Sequence, residues 1–189
     1  MVKSEKEKLR TLMVNRRNLL SPAEAEEKSR IIEKILMDQK EFSDAEKIFI
    51  YFSVRNEANT LDIIEKSLSM GKIVALPVVR NGNEMDFFRI ESLSSLKKNS
   101  MGIPEPPEES EMVLPDSNTL VIVPGTVFDR HKNRIGMGKG FYDRYFSKYS
   151  DIDLRKTGIC YDFQIVDQLP CEIHDVPLDK IISEKGVIE

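Results

Sequence analysis

Between Lys3 and Leu20 the apolar residues Leu9, Leu12, Met13, Leu19 and Leu20 recur at roughly helical spacing among lysines and arginines, which predicts an amphipathic helix. Ser21-Pro22-Ala23-Glu24 then joins a capping serine, a proline at the first helical position and a glutamate three residues after the cap. Together these start a second helix, expected to end near Asp38. At Lys47 to Phe52 (KIFIYF) the pattern changes to a short aromatic and β-branched run, the mark of a strand buried on both faces. Thr60 to Met70 returns to helical spacing and is stopped by Gly71, and Lys72 to Pro77 (KIVALP) is a second buried strand. Strand, helix and strand within about 30 residues is the smallest crossover unit, and it implies a parallel sheet. Glu84 to Ile90 (EMDFFRI) predicts a further strand after a turn at Asn81-Gly82-Asn83. Gly102 to Pro115 holds Pro104, Pro106, Pro107 and four glutamates, a composition that predicts a loop without regular structure. Thr119 to Val123 (TLVIV) is a third buried strand, ending at Pro124-Gly125, and Phe141 to Tyr149 has helical spacing. The class expected is α/β, a three-layer domain around a mainly parallel sheet.

The chain has 189 residues, 40% of them hydrophobic, enough for one core, so a single domain over 1–189 is expected. Charged residues make up 32%, yet the net charge is only −4, which argues against a nucleic-acid binder or an acidic tail and favours small-molecule chemistry. Cys160 and Cys171 form no CxxC pair and are read as core thiols in a reducing compartment. No apolar run nears the roughly 20 residues a membrane span needs, and MVKSEKEKLR lacks the apolar stretch of a signal peptide. A cytoplasmic protein without membrane or nucleic-acid partners is expected. No internal repeat or heptad pattern points to a scaffold.

The run VPGTVFDRHKNRIGMGKGFYDRY, from Val123 to Tyr145, places Gly136, Gly138 and Gly140 at alternate positions just before a predicted helix. Glycines admit backbone N–H groups close to a phosphate, and a helix N-terminus adds unpaired donors and partial positive charge. Arg134 and Lys139 add full charges beside them. The spacing is neither the P-loop GxxxxGK[ST] nor the dinucleotide fingerprint GxGxxG. Taken alone, such glycines equally suit a flexible turn. Asp143, three residues after the last glycine, suits a Mg²⁺ ligand or simple compensation of the helix dipole.

Pro124-Gly125, Phe128-Asp129, Arg134, the three glycines and Tyr142-Asp143-Arg144 resemble the signature of the formyltetrahydrofolate cyclo-ligases. The resemblance runs over nearly the whole chain, through Lys6 and Arg10, Glu57 with Thr60, Glu105-Pro106, Gln164, Pro170 and His174-Asp175. Three positions depart from the family pattern. Lys132 stands where a glycine is usual, Ile135 precedes Gly136 in place of leucine, and Phe141 replaces a common tyrosine and loses its hydroxyl.

The resemblance implies an open, Rossmann-like sheet of the NagB/RpiA/CoA-transferase kind, with helices on both faces and the site at the strand ends. It implies an enzyme that uses ATP and Mg²⁺ to convert 5-formyltetrahydrofolate to 5,10-methenyltetrahydrofolate, ADP and phosphate; a monomer is expected. Phosphorylating the formyl oxygen turns a poor leaving group into a phosphate ester, which N10 then displaces, so the protein must mainly position groups and neutralise charge. By resemblance, Lys6 and Arg10 bind the ATP phosphates; by themselves they would read as solvated charges on one helical face. Arg134, Ile135, Gly136, Met137, Gly138, Lys139, Gly140, Phe141 and Tyr142 would wrap the triphosphate, with Lys139 and Arg134 catalytic at the transferred phosphoryl group. Asp143 and Asp175 would hold the magnesium. Glu57 would contact the folate. Phe52 would pack against its rings, although on residue type alone it suits core packing better. Met137, Gly138, Lys139, Gly140 and Phe141 would border the same substrate, with Met85 and Met101 as weaker wall candidates. His131 and His174 lack the neighbours of a zinc site. Two other readings stay open at this point: an ATP-dependent enzyme acting on another small carbonyl compound, or an anion- or RNA-binding module built on Lys6, Arg16 and Arg17.

Overall fold

The structure is a computed structural model that describes residues 2–80 and 84–189, so the turn expected at Asn81-Gly82-Asn83 lies outside the described residues. The first two expected helices form as α1 (Val2–Asn18) and α2 (Pro22–Met37). Both halves of the capping box are made: Glu24 N–H donates to Ser21 Oγ at 3.3 Å and Ser21 N–H to Glu24 Oε2 at 3.0 Å. A short α3 (Lys40–Asp44) precedes β1 (Lys47–Ile50). Then come α4 (Leu61–Ser69), β2 (Ile73–Arg80) and β3 (Glu84–Ile90). Gly71 closes α4 at φ +75°, a conformation that costs glycine nothing, while Lys72 N–H reaches back to the Ser67 carbonyl at 3.1 Å.

Within the proline-rich stretch, β5 (Pro104–Glu105) pairs antiparallel with β4 (Lys97–Lys98), and Met112 bridges to Phe88. The expectation of no regular structure there is corrected to that extent: a proline tolerates an edge position, where its missing N–H is not needed. The rest of the chain supplies β6 (Thr119–Val123), β7 (Val127–Asp129), β8 (Arg134–Ile135) and α5 (Phe141–Lys148). It ends with β9 (Arg155–Ile159), β10 (Ile165–Val166), β11 (Lys180–Ser183) and β12 (Gly186–Ile188).

Seven strands form one sheet in the order β12-β11-β9-β6-β1-β2-β3. The five inner strands run parallel, and β3 and β12 close the two edges antiparallel. Strand alternation distributes the core between two faces. Ile48, Ile50, Leu120 and Ile122 join Ile32, Leu36, Ile63 and Ile64 of α2 and α4 on one side. Phe49, Val121 and Val123 join Phe87 and, from α5, Tyr145 and Phe146 on the other. Helices therefore cover both faces of a mainly parallel sheet. A smaller sheet, β10-β7-β8, packs through Val127 and Ile135 against Met13 of α1.

Two turnings of the chain place the site. From β1 the chain crosses through α4 to β2 on one side, while from β6 it crosses through α5 to β9 on the other. The adjacent carboxyl ends of β1 and β6 are thus the topological switch point, where open α/β sheets leave a crevice. Of the two cysteines, Cys160 is buried as expected but Cys171 is exposed, because it lies in the loop between β10 and β11 rather than on a strand. Among the described residues no helix is long and apolar enough to cross a membrane.

Candidate functional site

A cavity of about 770 Å³ opens at the switch point, a size typical of small-molecule sites. The loop leaving β1 contributes Glu57, and the loop leaving β6 contributes Pro124, Gly125 and Thr126. The glycine segment from Arg134 to Asp143 forms one wall, α1 brings Lys6 and Arg10, and the loop before β11 brings Glu172, His174 and Asp175.

The glycine wall is tied down on every side. Gly138 (φ +85°) and Gly140 (φ +64°) occupy left-handed conformations, and Gly140 caps α5. Arg10 Nε donates to the Gly136 carbonyl at 2.8 Å, and a methyl group on Gly138 would lie 3.3 Å from Arg10 Nη2. Arg10 thus braces the loop from α1 while keeping its guanidinium on the cavity. Arg134, nearly buried, donates through Nη1 to the Val176 carbonyl at 2.7 Å and through Nη2 to Asp143 Oδ1 at 2.8 Å. Val176 N–H donates to the same Asp143 oxygen at 3.2 Å. Lys139 and Met137 are exposed on the wall.

Lys6 Nζ sits 2.5 Å from Asp175 Oδ2 and 3.0 Å from Glu172 Oε2. Burial alone would lower the Lys6 ammonium, but the two carboxylates more than compensate and raise it. For Asp175, burial pushes the carboxyl up, while Lys6 and the Glu172 N–H leave it below its ordinary value. Glu172, His174 and Asp175 bring ligand atoms within 4.8 Å of one another.

At the far end of the cavity Glu57 closes the turn Val54–Glu57, with its N–H donating to the Val54 carbonyl at 3.1 Å. The two central residues, Arg55 and Asn56, stand at φ 50° and 57° without being glycines. Glu57 Oε2 accepts from Val54 N–H at 3.1 Å, and Oε1 lies 3.4 Å from Arg17 Nη1. Burial pushes the Glu57 carboxyl above its ordinary value, against the opposing pull of Val54 N–H and Arg17. The Tyr142 hydroxyl, on the cavity wall, is buried with no hydrogen-bond partner among the described residues, and burial drives its acidity far down, so it stays a donor.

The residue-matching family profile, described as the 5-formyltetrahydrofolate cyclo-ligase family, covers residues 2–184. The chain belongs to that family. The 5-formyltetrahydrofolate cyclo-ligase of Escherichia coli (strain K12) is 30% identical over 177 residues, covering 92% of this chain and 97% of that one. The enzyme of the same name from Mus musculus is 28% identical over 193 residues, covering 97% and 95%. The NMR structure of Aquifex aeolicus 5,10-methenyltetrahydrofolate synthetase superposes with a TM-score of 0.84 at 32% identity, covering 96% of this chain and 91% of that one.

Within this cyclo-ligase family member, Lys6, Arg10, Glu57, the run 134–143 and Asp175 all border one cavity. Phe52 does not. It lies two residues past the end of β1, partly buried against the core cluster of Ile48 and Ile50. Met85 is buried in the opposite core cluster and Met101 is exposed; neither borders the cavity.

Three family motifs turn out to be structural. Asp129, with no exposed surface, accepts from His131 N–H, Asn133 N–H, Asn133 Nδ2 and Leu169 N–H, which holds the β7–β8 hairpin closed. Gln164 Nε2 donates to the Gly125 and Thr126 carbonyls and fixes the loop under the cavity. Gly125 lies so close to Phe128 that a Cβ would stand 2.4 Å from its ring. Lys132, in place of the family's glycine, holds φ +67° in the same hairpin. Sequence reasoning missed Arg17 as part of this neighbourhood; its single available signal was a basic residue seven positions after Arg10, two helical turns along the same face.

Proposed function

We propose that the chain is an ATP-dependent 5-formyltetrahydrofolate cyclo-ligase and that the cavity at the switch point is its active site. One observation carries the reading: a single cavity joins a glycine loop ringed by Lys6, Arg10, Arg134 and Lys139 to a half-buried acceptor, Glu57, at its other end. The cationic end suits a triphosphate, which needs both backbone donors and full positive charges. The Glu57 end suits the N–H groups of a pterin, since an ionised carboxylate only accepts.

In this reading the γ-phosphoryl group passes from ATP to the formyl oxygen of 5-formyltetrahydrofolate, leaving ADP. N10 then attacks the formyl carbon, loses its proton, and expels phosphate to close the methenyl ring. Lys139 and Arg134 neutralise charge on the transferred group, and Arg10 keeps Gly136 and Gly138 in place. The N–H groups at the start of α5 lack intrahelical acceptors and are available to phosphate oxygens. Tyr142 donates its otherwise unpartnered hydroxyl to a bound substrate.

Asp143 and Asp175 fit magnesium in donor chemistry: both are carboxylates, hard oxygen ligands, on the cavity wall beside the phosphate cradle. They would hold the ion, which when bound would neutralise phosphate charge. Each is now balanced by a cation, Arg134 or Lys6, so nucleotide phosphates drawing on those cations would leave the acids to the metal. The core cluster from Ile32 to Ile182 supports one domain over the whole chain.

Two of the three basic residues behind the RNA-binding alternative are engaged within the fold, while Arg16 stays exposed. Arg17 is buried, Arg16 stacks over the Phe163 ring at 5.1 Å, and Lys6 is held by two acids. Incubating the protein with Mg-ATP and 5-formyltetrahydrofolate should generate the methenyl absorbance together with ADP and phosphate. Turnover of ATP with a different carbonyl substrate, and none with formyl-folate, would replace this function with the broader one.

A further inference from the structure

Arg17 does not border the cavity, and by its position late in α1 it belongs with solvated basic residues; yet it is only 5% exposed. Among the described residues its Nε is buried without a partner, and its one ion pair there runs from Nη1 to Glu57 Oε1 at 3.4 Å. Burying a guanidinium is costly, and an apolar residue of similar volume commonly serves stability as well or better. Stability alone therefore does not account for an arginine here.

What Arg17 faces is a carboxylate fixed from every other direction. The Val54–Glu57 turn holds two non-glycine residues in the left-handed region. Tyr161 Oη, itself 3.4 Å from Ser29 Oγ, donates to the Glu57 carbonyl at 3.2 Å. Val54 N–H occupies Oε2. Of its two carboxylate oxygens, Oε1 is the one reached from a distant element among the described residues, and that element is α1, the helix that also carries Lys6 and Arg10.

We infer that Arg17 is a positioning residue for substrate recognition: from behind the cavity wall it holds Glu57 as an oriented anion, ready to accept N–H donors of the bound substrate. This rests on reading Glu57 as the folate contact. The other groups facing Glu57 do not do the same work. Arg55 is exposed on the same turn, while Tyr51 at the end of β1, Tyr142 on α5 and Tyr161 after β9 are phenols that burial keeps neutral. Without Arg17, burial would favour the protonated acid, which presents a donor where the substrate needs an acceptor.

The test uses the full chain with Arg17→Met, Arg17→Lys, Glu57→Gln and the Arg17→Met/Glu57→Gln double variant. With Mg-ATP, Arg17→Met should raise KM for 5-formyltetrahydrofolate by about tenfold, leave KM for ATP within about twofold, and move the acid limb of kcat/KM to higher pH. Arg17→Lys, which keeps the charge, should hold the limb near its wild-type position and raise KM less. The double variant should be no worse than Glu57→Gln, because Arg17 acts through that carboxylate. Independently of turnover, the Glu57 side-chain carboxyl, followed by carbon NMR and assigned through Glu57→Gln, should titrate at higher pH in Arg17→Met than in the wild type. An unmoved titration, equal effects on both Michaelis constants, or additive losses in the double variant would overturn the inference. A wild-type chain that makes no methenyl product removes the cyclo-ligase reading instead, and the titration still decides what Arg17 does.

Discussion

The two ends of the cavity are built by opposite means. At the glycine end most of the wall is contiguous in sequence: Arg134 and Phe141 are seven positions apart, local turns plus one helix start arrange the run between them, and α1 adds Lys6 and Arg10. At the Glu57 end nothing is local beyond a tight turn. Its carboxylate is set by α1 and its carbonyl by Tyr161, which is 104 residues away. The glycine end also exposes Lys139 and Met137, whereas the Glu57 end pairs a half-buried carboxylate with the buried Arg17. A phosphate cradle can be a short motif because backbone N–H groups and a helix terminus supply most of the binding. An oriented buried carboxylate cannot, because its charge must be answered by groups brought from several elements.

This contrast is most open to challenge at Arg134. Arg134→Met should lower kcat by roughly a hundredfold or more, as loss of one group stabilising a developing charge commonly does. Steady-state kinetics at saturating Mg-ATP would show it, and unchanged kcat would move the reacting phosphoryl group away from this wall. Next in size is Glu57→Gln, expected to raise KM for the folate about tenfold while KM for ATP holds. In the wild type, kcat/KM for the folate should fall with decreasing pH as Glu57 protonates. Because burial raises that carboxyl, the limb should lie above the ordinary glutamate value of about 4.3, and Glu57→Gln should abolish it. An acid limb that survives the substitution assigns the titration to another group.

Gly138→Ala should act on the cradle alone. A Cβ at φ +85° strains the backbone by roughly 1–2 kcal/mol and crowds Arg10, so KM for ATP should rise several-fold while the folate constant stays. If both constants rose together, the two ends would not be separable. The smallest effect is expected at Lys132→Gly, which removes a side chain from φ +67° outside the cavity. It should stabilise the fold by about 0.5–1 kcal/mol in thermal or denaturant unfolding, with kinetics unchanged.

Much of this molecule was legible before folding. Strands β1, β2, β3 and β6 announced themselves by apolar runs, α2 by its capping box, and α5 with its glycine N-cap by GMGKG before helical spacing. The C-terminal strands β9 and β11 were not. Arg155–Ile159 (RKTGI) and Lys180–Ser183 (KIIS) are too short and too polar at their starts to stand apart from loops, and they become strands because β6 offers an open edge to β9, and β9 in turn to β11. For Phe52, aromatic character says nothing about which neighbours it takes; the fold sets it partly buried against the core cluster of Ile48 and Ile50.

The sequence by itself determined the family and the α/β class and pointed to phosphate-binding chemistry, since each rests on patterns of a few adjacent residues read by local geometry. Only the tertiary structure decided that Arg17 is buried against Glu57, that Asp129 and Gln164 serve the scaffold, and that Lys6 is held by Asp175 across 169 positions. The physical reason is that burial and charge pairing are properties of packed neighbours, and those neighbours exist only once the sheet has brought distant segments to one switch point.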